Sequence, residues 1–218
     1  MQGTASDWFD AERASLHVQV SHDGPRRDEV FAATTKAGAE VTAALEELDG
    51  AAVTRWSSDR IRVSSHRPWN NEGKQLAPVY TAALSATARF QDFDALAAFV
   101  ERFATVTGVQ IVSITWDLTE ERRLAVTTAI QERAVRDAAA KAATYARAAG
   151  LSTVQAIALA DPGMLGDGSG PTDPGMPRGR GSAPMMAMMA SDAGGPELAF
   201  TPDRIEVSAS VDARFRAS

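Results

Sequence analysis

Hydrophobic positions along the chain switch between two repeats, and the switching predicts its elements. "SLHVQV" puts Leu16, Val18 and Val20 on one side, the two-residue period of a half-buried strand. From Asp28 to Asp49 the spacing becomes helical, with Val30, Thr34, Ala37, Val41, Leu45 and Leu48 as the inner stripe and Gly50 as the stop. Strands are predicted around Val53 to Ser65 and from about Val79 to Phe90, where Tyr80, Ala82, Leu84, Ala86, Ala88 and Phe90 share a face. The turn-rich "RPWNNEGKQLAP" between them makes the pair a hairpin with a long tip. A short helix from Asp94 to Ala104 is expected to bury Leu96, Ala97, Val100 and Phe103. In "IVSITWDL", Val112, Ile114, Trp116 and Leu118 are expected to face one way.

The longest helix is predicted from Thr119 to Ala149, with Val126, Ile130, Ala134, Ala138, Ala142, Tyr145 and Ala149 inward. Small residues dominate that stripe, so the helix can lie close against a sheet. "TVQAIALA" reads as a strand, and "RIEVSASVDARF" alternates most clearly of all, with Ile205, Val207, Ala209, Val211, Ala213 and Phe215 on one face. The predicted order is β-α-β-β-α-β-α-β-β. Hairpins mixed with helices imply an α+β fold. Its sheet should be largely antiparallel, with helices packed on one side, built from duplicated β-α-β-β-like units. Residues 1–13 read as an N-terminal arm and 14–218 as the folded domain, divisible into two subdomains at about 14–92 and 93–218. Residues 161–202 read as a Gly/Pro/Met-rich loop of a length that is uncommon inside a compact domain.

Composition narrows the functional classes. A formal charge of −6 argues against nucleic acid as a partner, and the absence of cysteine removes disulfides and thiolate chemistry. No run of 18 apolar residues predicts a transmembrane segment. "MQGTASDWFDAERASLHVQV" lacks the apolar core of a secretory signal, so the expected location is cytoplasmic, or exported if a leader has already been removed.

Three blocks in a fixed order resemble the SIMPL domain family, whose bacterial members include periplasmic and outer-membrane immunogenic proteins. The first is "PVYTAALSATARFQDFDALAAFV", an aromatic-led strand running into an Asp-capped helix. The second is "GVQIVSITWDLTEERRLAVTTAIQERAVRDAAAKAATYARAAGL", an alternating strand followed by a helix with Ala–Arg–Lys–Ala steps. The third is "GSAPMMAMMASDAGGPELAFTPDRIEVSASVDARF", a Pro- and Met-containing loop before a strand. The likeness runs from about Ala14 to Phe215. Two departures stand out: no signal peptide is seen, and Val79 precedes Tyr80 where the family often has Gly. The resemblance implies an α+β protein that assembles, in some relatives into ring or channel-like oligomers, with links to oxidative stress and the cell envelope. An animal relative is a signalling adaptor that associates with a kinase. The family has no agreed catalytic residues, so the resemblance implies none here.

The residues themselves select no catalytic constellation and no cofactor site. His17, His22 and His66 have no metal-motif spacing. "LGDGSGP" is glycine-rich but opens no helix, which a phosphate cradle needs. Acidic pairs such as Asp92 with Asp94, and Glu120 with Glu121, suit helix N-termini. Trp8 and Trp69 sit in polar surroundings, either as anchors in an interface or folded back on their own domain.

"SAPMMAMMASDAGG" holds four of the seven methionines: Met185, Met186, Met188 and Met189. These serve as a contact segment, as filler, or as a soft-metal or oxidant site. The expected function is therefore that of a non-enzymatic, self-assembling protein, a homo-oligomer with those methionines, Trp8 and Trp69 as candidate contacts. The alternative is a stress protein that takes up Cu(I) or oxidant through the same thioethers. Equal Cu(I) uptake by a chain with all four replaced by Leu would remove it.

Overall fold

The computed structural model describes residues 1–165 and 201–218. Within them lie β1 (Gln2–Phe9), β2 (Arg13–Gly24), α1 (Arg27–Leu48), β3 (Val53–Ser58), β4 (Arg62–His66), β5 (Val79–Phe90), α2 (Phe93–Ala104), β6 (Val109–Asp117), α3 (Glu120–Ala148), β7 (Val154–Ala160) and β8 (Ile205–Ala217). The fold is α+β, with its strands in two sheets rather than one. The chain divides into two compact units. One is Trp8–Val126 with residues 201–207; the other is Met1–Asp7, residues 127–165 and Ser208–Ser218.

The first unit holds a five-stranded sheet ordered β3-β5-β2-β6, with β4 also paired to β5. Its pairings are antiparallel. Leu16, Val18 and Val20 point into one core with Ala82, Leu84, Ala86, Ala88 and Phe90, as their alternation predicts. Ala37, Val41, Ala44 and Leu45 of α1 and Leu96, Phe99, Val100 and Phe103 of α2 belong to that same core region. Both helices therefore cover one face of the sheet, and its other face is left polar. Asp92 caps α2 by accepting from the Asp94 and Ala95 N–H groups, each at 3.0 Å.

Several local expectations change. The stretch read as one strand, Val53 to Ser65, is two: β3 pairs with the C-terminal half of β5 and β4 with its N-terminal half. Asp59 and Arg60 offer nothing to bury where they part. In α2 the inward residue is Phe99 rather than Ala97, completing the 96/99/100/103 stripe. In β6, His17 opposes Ser113 but Val18 opposes Ile111, so a bulge absorbs one residue. Ile111 and Ile114 both face the core as a result, and Val112, expected inward, is exposed. Gly108 precedes this strand with φ +83°, and any side chain there would run into the His22 ring.

The second unit contains the three-stranded sheet ordered β1-β8-β7. Residues 1–13, read as an arm, contain strand β1. Its start is tied to β8 by reciprocal backbone bonds between Met1 and Ala213, at 2.7 and 2.8 Å. Ile130, Ala134, Ala138, Ala142 and Ala146 form the buried stripe of α3. Tyr145 is exposed because the step from Ala142 is four residues, to Ala146, not three. Gly3 lies against the helix backbone beside Ala134 and Ala138. Arg133 pairs with Asp7 at 2.6 Å, and Asp137 accepts from the Thr4 N–H at 2.9 Å.

Candidate functional site

In the second unit, β7 is an edge strand among the described residues, paired to β8 on one side only. Edge strands offer unpaired N–H and C=O groups to another chain, and proteins usually blunt them with charge or proline. Here β1 contains Asp7, β3 Arg55, β4 Arg62 and β6 Asp117. The seven residues of β7, VQAIALA, include neither a charge nor a proline. Its one protective feature is a bulge at Ile157, between the pairs Ala156–Phe215 and Ala158–Arg214.

The apolar side chains on this strand are open to solvent: Ile157 is 54% exposed and Leu159 50%. Met164, just beyond, is 74% exposed. A groove of about 480 Å³ runs here. Val135, Leu159, Met164 and Val211 supply its apolar lining, and Gln131, Asp161 and Ser210 its polar groups. Isolated exposed apolar residues are ordinary, but several on one bare edge make it a candidate interaction surface.

Met185, Met186, Met188 and Met189 fall outside the described residues. Trp69 is 67% exposed at the hairpin tip, where it bridges to Gln75. Trp8 is 51% exposed near the end of β1, and its carbonyl accepts from Arg204 at 3.1 Å. Both belong to the five-stranded unit. Ile157 and Leu159 escaped the sequence reading because "TVQAIALA" looks like any half-buried strand until its pairing is known.

The most developed ionic cluster belongs to the five-stranded unit. The buried Arg13 guanidinium donates to Asp117 at 2.7 Å and to Glu120 at 2.9 Å. Arg123 also pairs with Asp117. Burial pushes the Asp117 pKa upward, but hydrogen bonds from Arg13, Arg123 and the Leu118 N–H outweigh it and hold it below the ordinary value. The hydrogen bond with Asp117 in turn raises Arg13. Beside it, the Thr119 hydroxyl donates to Glu12 at 2.5 Å and lowers that carboxyl. Every charge here has a protein partner, so the cluster staples β2, β6 and the start of α3 and presents no free acid or base.

This staple has a pH signature. A carboxyl depressed by folding stabilises the protein above its unfolded pKa, near 4, and loses that contribution as pH falls through the folded value. Acidification below about pH 5 should therefore destabilise the wild type, and Arg13→Gln should flatten that dependence. At neutral pH the substitution should cost about 1–2 kcal/mol, less than for a fully buried pair, because Asp117 keeps Arg123 and some solvent. Thermal melts of both proteins between pH 3 and 7 check this, and parallel curves would contradict it.

The family model SIMPL, described as "Protein of unknown function (DUF541)", matches residues 1–215. The chain belongs to the SIMPL family. None of the curated proteins matches it. The SIMPL match takes in β1 and both sheets, and so extends beyond the Ala14–Phe215 resemblance read in the sequence. Among the described residues of this SIMPL protein, no helix is long and apolar enough to cross a membrane.

Proposed function

We propose that this SIMPL protein is a non-enzymatic, self-assembling protein whose homo-oligomer contacts run through β7. The observation that supports this reading most is the uncharged, proline-free edge strand bearing exposed Ile157 and Leu159. A two-fold antiparallel pairing of β7 with its copy, centred on Ile157, sets Ile157 opposite Ile157 and Leu159 opposite Gln155. The exposed apolar side chains of both copies then lie along one seam. New backbone hydrogen bonds and shared apolar burial favour such a contact. The stress-defence or cell-envelope setting implied by the family is where this assembly would work.

Leu159→Lys tests the reading, because an edge lysine is a standard block to strand addition. Leu159 is half-exposed, so the variant should keep its melting temperature to within a few degrees. In size-exclusion chromatography it should elute as a smaller species than the wild type. Identical elution of the two, at matched concentration, counts against β7 as the contact.

A further inference from the structure

The polar face of the five-stranded sheet has an order of its own. Register places Arg55 of β3 directly opposite Arg89 of β5, Arg89 opposite Ser15 of β2, and Ser15 opposite Thr115 of β6. The next row runs Ser57, Thr87, His17, Ser113. These eight positions contain two arginines and a histidine and no carboxylate, in a chain with a net charge of −6.

Like charges directly opposite each other across strands destabilise a sheet. Seven other described arginines, Arg13, Arg26, Arg122, Arg123, Arg133, Arg136 and Arg204, have acidic partners. Neither Arg55 nor Arg89 has an ion pair among the described residues. Asp117, the acidic group at one end of this face, is already held by Arg13 and Arg123. Asp59, at the other end, follows two residues after Ser57 and ties its N–H to the Ser85 carbonyl.

Arg55 and Arg89 also line a concavity of about 260 Å³, together with Ser15, Ser57 and Thr87. The hydroxyls of Ser57 and Thr87 are hydrogen-bonded to each other at 3.0 Å, which fixes both at its wall. Two guanidinium groups, which only donate, and three hydroxyls line this space beside Trp56 and Ala88, and the Ser57–Thr87 bond takes one of the hydroxyl protons. A carboxylate has two oxygens to offer these donors, whereas a phosphoryl group has three or four and carries more charge.

We infer that Arg55 and Arg89 form a binding site for a phosphoryl group, with Ser15 and whichever of Ser57 and Thr87 accepts their mutual hydrogen bond as supporting donors. The anion neutralises the cross-strand repulsion that no carboxylate of the described residues relieves. The site lies in the other unit from β7, so it stands whether or not β7 mediates assembly.

The test is calorimetric titration of the whole chain with inorganic phosphate, at constant ionic strength, beside Arg55→Gln, Arg89→Gln and the double variant. Saturable binding should weaken about tenfold or more with each arginine lost. Each variant should melt at or above the wild-type temperature without phosphate, because a like-charge pair has been removed. That separates loss of the site from loss of the fold. A parallel arm uses phosphatidylcholine vesicles with and without phosphatidic acid. Arginine-dependent binding to those vesicles alone would assign the phosphoryl group to a lipid headgroup, and binding to free phosphate to a soluble ligand. No binding in either arm, or equal binding by the double variant, would overturn the inference.

Discussion

Replacing Gly3 with alanine should destabilise the protein by about 3 kcal/mol, the upper end for an overpacked site. The added Cβ would stand 2.7 Å from the Ala138 Cβ and backbone nitrogen, and closer still to the Ala134 carbonyl oxygen. Those obstacles are mostly helix backbone, which cannot swing aside as the tip of a long side chain can. Stiffening the unfolded chain returns only about 0.4–1 kcal/mol, so the clash wins. Differential scanning calorimetry should show a fall of about 6–12 °C. Ser6→Ala, at an exposed position of the same strand, should stay within about 0.5 kcal/mol of the wild type. An unchanged melt for Gly3→Ala would mean that β1 does not press against α3 in solution.

Phe90→Ala should cost about 3–5 kcal/mol, the range for deleting a buried aromatic ring. Phe90 is fully buried at the end of β5, with its ring 5.8 Å from that of Phe99, which itself lies 4.6 Å from Phe103. Removing it leaves a hole beneath both helices of the five-stranded unit and breaks the aromatic chain that joins β5 to α2. Urea unfolding should show the lost stability as a lower midpoint with little change in slope. A loss below 1 kcal/mol would contradict the packing described for this core.

Elements whose signal is local were legible in the sequence. Leu16, Val18 and Val20 alternate because one face of β2 is buried, and the α1 stripe from Val30 to Leu45 follows the same logic at helical spacing. The alanine stripe of α3 correctly foretold close approach by a sheet, but its partner was not visible. Gly3 and Ala5 carry almost no hydrophobic signal, and β1 exists because a helix more than a hundred residues away leaves room for it. The bulge in β6 was hidden for a similar reason, since only pairing with β2 shows that Ile111 and Ile114 share a side.

The candidate sites divide in the same way. Apolar residues in "TVQAIALA" signal a strand, and only sheet order reveals that this strand is an edge. Arg55 and Arg89 lie 34 positions apart in sequence and become neighbours through the β3–β5 register. The methionine cluster, conspicuous in the sequence, lies outside the described residues. Trp8 and Trp69 are both exposed.

Self-assembly is the central claim, and the solution mass of the unmodified chain tests it most directly. Multi-angle light scattering over a range of concentrations should give at least twice the 23.1 kDa of one chain, with Leu159→Lys reduced to the single-chain value. A mass of 23.1 kDa for the wild type at every concentration would contradict it.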